Sequence, residues 1–427
     1  MNCLHVIFLI FLAARAFADF ALEMLNRRRT VAHAGNVPEA FAEIVSAETH
    51  KKTVAYTLAK TDFGFVELVF DTLLTAALVL CVFAPLFSFA GALVGLENGM
   101  SGWAAVWREG VILVGISILI SLVDLPFGAY ETFGIEAKFG FNKSSAGLWF
   151  ADQIKGLLVG LAIGLPLAWA ILGFYHAFPR VWWIVGQCAF FVFQLVLMVV
   201  FPKFILPLFN KLSPLPEGEL RDALESLAKR AGFVAKKIEV IDGSKRSGHS
   251  NAYFTGFGKW RRIVLFDTLV EQLSVEEISA VLAHEIGHSK RGHITKRLAL
   301  AFVFGFAFFG FVGWVLTRPE FFAAFGFDYR AGLMFVPALL LLSKMLPLAT
   351  FWLSPISNYI SRRHEYEADA FARELIGSPD ALVSALRKLH KENLGNLTPH
   401  PLYSTFNYSH PTLLERENAL RNTDSSR

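Results

Sequence analysis

The chain has 427 residues and a formal net charge of +4, and 54% of it is apolar, including 42 phenylalanines. A mean hydropathy of +0.46 over that length excludes a water-soluble globular protein. The basic residues are spread along the chain, so the charge gives no reason to invoke a nucleic-acid partner.

A helix needs about 20 mostly apolar residues to cross a bilayer core. In chain order such runs fall near residues 3–20, 65–93, 110–125, 155–174, 181–206, 298–316 and 331–353. The first is interrupted by Arg15, and its "ARAFA" has the small residues of a signal-peptide cleavage site. No Lys or Arg precedes it, however, as a signal peptide requires, and the cluster Arg27, Arg28 and Arg29 follows it. We read it as a retained helix with its N-terminus outside. Lys and Arg concentrate in the odd-numbered connections, while the even ones hold only Arg108, Arg180, and the pair Arg318 and Arg330. The positive-inside rule then places the odd connections and the C-terminus in the cytosol. The membrane is the inner one for a bacterial source and that of the endoplasmic reticulum for a eukaryotic one.

Cys3, Cys81 and Cys188 fall in the spans without metal-ligand spacing and read as reduced structural thiols. Glu67, Asp71, Asp124 and Asp152 lie inside apparent spans, where ionisable groups are costly. They are expected to line a water-filled space or to sit at span ends.

Between the fifth and sixth spans the pattern becomes that of a soluble α+β insert. "PEGELRDALESLAKRAGF" has helical spacing and a glycine stop at Gly232, and "KKIEVIDG" alternates as a strand does. "SNAYFTGFGKWRRIVLFDTL" reads as two short strands around a turn at Gly256 to Gly258. A helix follows from Ser274, with Glu277 completing a capping box. Its pattern allows it to run unbroken into the sixth span.

That helix carries "HEIGH". Residues four apart share a helix face, so His284 and His288 can offer imidazole nitrogens to one ion, with Glu285 beside them to reach a bound water. A catalytic zinc needs a third protein ligand and an open position. His293 lies five residues beyond His288, whereas the three-histidine pattern of metzincins needs six, so it reads as a polar residue near the membrane boundary. The run "SPISNYISRRHEYEADAFAREL" offers a better candidate. Glu365 and Asp369 share a face there, Glu365 to ligate zinc and Asp369 to accept the outer N–H of a ligand histidine. Glu367 lies on a different face.

"HEIGH" followed by "SRRHEYEADAFA", together with "GIEAKFGFNKSS", "SGHSNAYFTGF", "RIVLFDTL" and "YSHPTLLER" in this order, resembles the integral-membrane zinc CAAX prenyl proteases of the a-factor-converting type. The likeness runs over nearly the whole length, and we read the chain as a prokaryotic homologue. It implies an α-helical multi-pass membrane protein, seven transmembrane helices around a water-filled chamber, with a small gluzincin-like α+β insert. The expected divisions are 1–206 for spans one to five, 207–297 for the cytosolic insert, 298–353 for spans six and seven, and 354–427 for the C-terminal helices.

The resemblance also implies one Zn²⁺ per chain on His284, His288 and Glu365, with Glu285 as general base. Asp369 stands behind the ligands, Asn251 belongs to an edge strand that holds substrate backbone, and His410 and Arg416 lie close to the site. His410 is our choice for an oxyanion donor, and Arg416 is expected to pair with Asp369 or Glu365. The expected partners are a peptide or protein substrate, prenylated or not, and the lipid bilayer. Two rivals remain open: a quality-control protease like the HtpX-type membrane proteases, and a zinc-binding transporter or scaffold that does not hydrolyse. A transporter has no use for Glu285 beside an open ligand position.

Overall fold

The computed structural model describes residues 2–233, 237–255 and 262–422. Among these, seven helices are long and apolar enough to cross a membrane. They are α1 (Cys3–Ala32), α2 (Ala47–Val94), α3 (Gly102–Phe139), α4 (Ala146–Ala177), α5 (Trp182–Phe209), a sixth from His293 to Val315 and a seventh from Phe335 to Ile376. Most overrun the apolar segments that mark them. With 48 residues, α2 extends about 72 Å, more than twice the roughly 30 Å hydrocarbon layer. Polar caps set the starts of three of them: the Asn2, Ser46 and Ser145 side chains accept from the backbone N–H of His5, Thr49 and Leu148.

Where the spans meet, one apolar cluster joins Phe8 and Leu12 of α1, Phe83 of α2, Val106 of α3 and Leu172 of α4 to Trp182 and Phe335. The first helix is thus packed into the bundle. Only 11% of the apolar windows of α1, α4 and α5 is buried. A cavity of about 810 Å³ lies among α3, α4, α5 and the sixth and seventh spans.

Of the four acids inside the spans, Asp152 accepts from Arg246 of the insert at 2.8 and 3.1 Å. Asp71 faces Lys344 at 3.7 Å, and Glu67, Asp71 and Asp124 are exposed. Cys3, Cys81 and Cys188 are free and exposed.

The insert is a four-stranded sheet with one helix between its first and second strands and two helices after its last. Its order is β1 (Leu212–Pro214), β2 (Lys237–Ile241), β4 (Arg262–Phe266), β3 (Ala252–Thr255), so β3 is an edge. β2 and β4 run parallel, Ile238 opposite Ile263, and β3 is antiparallel to β4, Tyr253 opposite Val264. Helix α6 (Glu219–Arg230) precedes β2 and ends at Gly232, φ +56°. The expected turn at Gly256 to Gly258 lies outside the described residues. His249 pins the insert to the foot of α3: Nε2 is 3.1 Å from Glu136 Oε2, Nδ1 is 2.9 Å from Asn393 Oδ1, and the ring stacks on Phe141 at 4.0 Å.

After α7 (Asp267–Gln272) comes α8 (Val275–Lys290), which carries the HEIGH residues behind a capping box of Ser274 and Glu277. It does not continue into the sixth span. The chain breaks at Gly292, φ +70°, a left-handed conformation that a side chain would strain, and α9 (His293–Val315) starts afresh. The seventh span begins as α10 (Phe335–Thr350) and leads through a short turn into α11 (Ser354–Ile376). Helices α12 (Asp380–Glu392), α13 (Pro401–Asn407) and α14 (Leu413–Arg421) follow. The insert and this C-terminal region share one apolar core, Leu224, Ile263 and Ile286 packing with Ala372, Leu382 and Leu420.

Helix α8 lies directly on α11, and Gly287 sets the spacing. A Cβ there would meet the Cα and the carbonyl oxygen of Ala368 at 3.0 Å and the Cβ of Phe371 at 3.2 Å. Backbone cannot step aside as a side-chain tip can. In a helix Gly→Ala gains about 1 kcal/mol from propensity, but overpacking costs about 1–3 kcal/mol. Gly287→Ala is therefore expected to lower the thermal unfolding midpoint in detergent. Gly310→Ala, whose Cβ would meet only ordinary contacts from 3.8 Å outward, should leave it unchanged or raise it. Equal behaviour of the two variants would refute the close approach.

Candidate metal centre

Because α8 and α11 approach so closely, three side chains converge between them. Nε2 of His284 and Nε2 of His288 lie 3.2 Å apart. Glu365 Oε2 is 3.4 Å from the first nitrogen and Oε1 is 3.3 Å from the second. Ligands about 2.0–2.2 Å from a tetrahedral zinc stand about 3.3–3.6 Å from one another, so the three spacings suit a single ion of that size. Glu365 Oε2 is buried without a hydrogen-bond partner among the described residues, the state of an acceptor whose partner is a cation. Burial disfavours charge on His284, yet the Asp369 and Glu365 carboxylates beside it outweigh that and raise its pKa to about 9. The donor set of two imidazoles and a carboxylate is that of a catalytic zinc site with an open position.

The outer nitrogens of the two imidazoles are each held. Nδ1 of His284 lies 2.8 Å from Asp369 Oδ1. Asp369 in turn accepts two bonds from Arg416 of α14, at 2.9 and 2.6 Å, and all three groups are buried. Arg416 Nη1 is also 4.0 Å from Glu365, so the expected pairing goes to Asp369 first. Nδ1 of His288 meets Nδ1 of His293 at 2.9 Å. His293 is buried, stacks on His364 with ring centroids 4.0 Å apart, and reaches Glu367 Oε2 through Nε2 at 3.0 Å.

That corrects the reading of His293 as a polar residue at the membrane boundary. On an unbroken helix a five-residue step would turn it about 140° away from His288, and the break at Gly292 folds it back. His293, His364 and Glu367 are the residues that sequence reasoning missed. The sequence signal was Gly292 itself, four residues past His288 at the foot of an apolar run.

Glu285 lies beside the cluster on the wall of a cavity of about 1300 Å³. Burial pushes its carboxyl up, against the pull of His284 and His288. His410 lines the same cavity, exposed, with Nε2 3.5 Å from Glu365 Oε1 and Nδ1 3.0 Å from the Ser409 hydroxyl. Asn251 is not brought into this cluster. It sits exposed just before β3, its side-chain oxygen accepting from the Ala252 N–H at 2.8 Å, its carbonyl accepting from the Phe266 N–H.

Comparison with known proteins shows the family. The family described as "CAAX prenyl protease N-terminal, five membrane helices" matches residues 27–211, and Peptidase family M48 matches residues 214–424. The CAAX prenyl protease 1 homolog of Oryza sativa is 37% identical over 398 residues, 92% of this chain and 91% of the relative. CAAX prenyl protease 1 of Saccharomyces cerevisiae is 43% identical over 320 residues, 71% and 70% of the two chains. The crystal structure of S. mikatae Ste24p superposes with a TM-score of 0.90 at 34% identity, covering 99% of this chain and 100% of that one. These relatives are eukaryotic, and nothing supports the reading of a prokaryotic source. Peptidase family M48 implies a metal cofactor, generally zinc, and substrates that are peptides or proteins. The chain belongs to the CAAX prenyl protease 1 family and is a multi-pass membrane metalloprotease of peptidase family M48.

Proposed function

We propose that this protease cleaves extended, prenylated C-termini of the CAAX type, using one zinc held by His284, His288 and Glu365. The observation that carries the reading is the convergence of those three side chains at 3.2 to 3.4 Å, with Glu285 on the wall of the adjoining cavity. What zinc supplies when bound is a Lewis acid for the peptide carbonyl and a water acidified toward neutrality. Asp369 keeps His284 in the tautomer that turns a lone pair inward, and Arg416 holds Asp369 in place. Glu285 takes the proton of the attacking water on a carboxylate oxygen and passes it to the leaving nitrogen. Burial raises its proton affinity toward the working pH, which favours both transfers. His410 donates from Nε2 to the carbonyl oxygen as it gains charge.

The free edge of β3 can accept an extended substrate as a further strand, through main-chain hydrogen bonds that ignore side-chain identity. Asn251 stands at the head of that strand. We place the hydrocarbon chain in the 810 Å³ cavity, which begins one turn beyond the metal-site cavity on α9: Phe304 lines the metal-site cavity and Phe308 the apolar one, about 6 Å apart along the axis. Gly156, Gly160 and Gly164 repeat every four residues along the α4 wall, and a Cβ on any of them would meet nothing within 4 Å. The basic odd-numbered connections set the active site on the cytosolic side. In a eukaryotic cell the membrane is that of the endoplasmic reticulum.

Two experiments test the reading. Purified Glu285→Ala is expected to keep one zinc per chain by elemental analysis while cleavage of a farnesylated reporter peptide falls about 10²–10⁴-fold. Loss of the metal, or unchanged cleavage, refutes the assignment of Glu285. Gly160→Phe fills the apolar cavity. Displacing even two methylenes at about 0.8 kcal/mol each lowers kcat/KM for the farnesylated peptide by at least about tenfold. The same peptide without its prenyl group should be cleaved as by the parent protein, and an equal effect on both peptides would place the chain elsewhere.

A further inference from the structure

Nothing above explains why His288 is backed by a second histidine where His284 is backed by a carboxylate. A neutral imidazole that offers a lone pair from one nitrogen carries its hydrogen on the other. His284 meets this condition simply, because Asp369 Oδ1 can only accept from Nδ1. For His288 the partner 2.9 Å from Nδ1 is Nδ1 of His293, which either donates or accepts. If His293 carried its hydrogen on Nδ1, His288 would have to accept there, and its own hydrogen would point from Nε2 into the centre where the ion belongs. The geometry removes that option. Glu367 Oε2 lies 3.0 Å from His293 Nε2 and can only accept, which places the hydrogen of His293 on Nε2 and leaves Nδ1 bare.

We propose that His293 and Glu367 form a tautomer relay that sets the metal-binding form of His288, and that both are positioning residues for the metal. The hydrogens run one way: from His293 Nε2 to Glu367, from His288 Nδ1 to His293 Nδ1, with the lone pair of His288 Nε2 turned inward. Every member is held. The break at Gly292 starts α9 so that its first side chain folds onto His288. The His293 ring lies flat on His364, the two planes 14° apart. Glu367 accepts from Arg363 Nε at 3.2 Å and has Lys296 Nζ at 3.8 Å, which keeps it a charged acceptor. Helix α11 thus serves the centre from two faces, Glu365 and Asp369 on one and His364 and Glu367 on the other.

The inference rests on His284, His288 and Glu365 being the metal ligands, and the test separates the two. Zinc affinity of the full-length protein in detergent is measured by chelator competition. A parent protein without a stoichiometric site defeats the ligand assignment itself. With that site present, His293→Leu is expected to weaken zinc about 10–100-fold, the usual effect of losing such a partner. His293→Asn puts an amide oxygen near the place of Nδ1, accepts from His288, and should bind within about threefold of the parent. Glu367→Leu should weaken zinc as well, and adding it to His293→Leu should cost nothing more, since both break one chain of hydrogen bonds. Parent-like affinity in His293→Leu, an Asn variant as weak as the Leu variant, or additive losses would each overturn the relay. Should His293→Leu fail to fold, Glu367→Leu, at a side chain 30% exposed, carries the same comparison.

Discussion

The centre depends on how closely two helices lie. Gly287 brings the backbone of α8 to within one Cβ of Ala368 on α11. At that separation Glu365 reaches between two imidazoles and Asp369 reaches the back of one of them. The Asp369 contact is 2.8 Å and the Glu365 spacings are 3.3 and 3.4 Å, so a shift of about 1 Å between the helices would break the first and pull the ligand set apart. The glycine in the middle of HEIGH therefore shapes the site without touching it.

Such an arrangement buries charge, and buried charge must be paired. Glu365, Asp369 and Arg416 are all removed from water. Stripping one partner from a buried pair costs about 3–5 kcal/mol, because the charge left behind has no solvent. Arg416 answers this for Asp369, so α14, 47 residues further along the chain, belongs to the site. Helix α12 links α14 to α8: its Arg387 meets Glu417 on α14, and its Lys388 meets Glu277 on α8 at 2.8 Å. The C-terminal helices close the polar side of the centre and share the insert's apolar core.

How far this was legible in the sequence follows from what is local and what is not. The i, i+4 arithmetic of a helix found His284 with His288 and Glu365 with Asp369, and the capping box found the start of α8. The sides of each helix were readable; the ends were not. Apolar runs mark the most hydropathic portion of each span, while polar residues carry most of the helices on past it. The break at Gly292 was hidden because the sequence is helical in period on both sides, and with it went His293. Glu367 was placed on the correct other face of α11 but had no partner to point at. The role of Gly287 lies wholly in a neighbour 81 residues away, beyond the reach of any local pattern.

Helix α9 joins these features. Its earlier turns carry His293, Lys296, Arg297, Leu300 and Phe304 on the wall of the metal-site cavity, and its later turns carry Phe308, Phe309 and Val312 into the apolar one. One element thus passes from the back of an imidazole to a hydrocarbon-lined space over about 22 Å, counting fifteen residues to Phe308. Continuing α8 straight into this span would carry the same lining but swing His293 away from His288. The break is what lets a single membrane helix back His288 at its foot and line an apolar cavity further along.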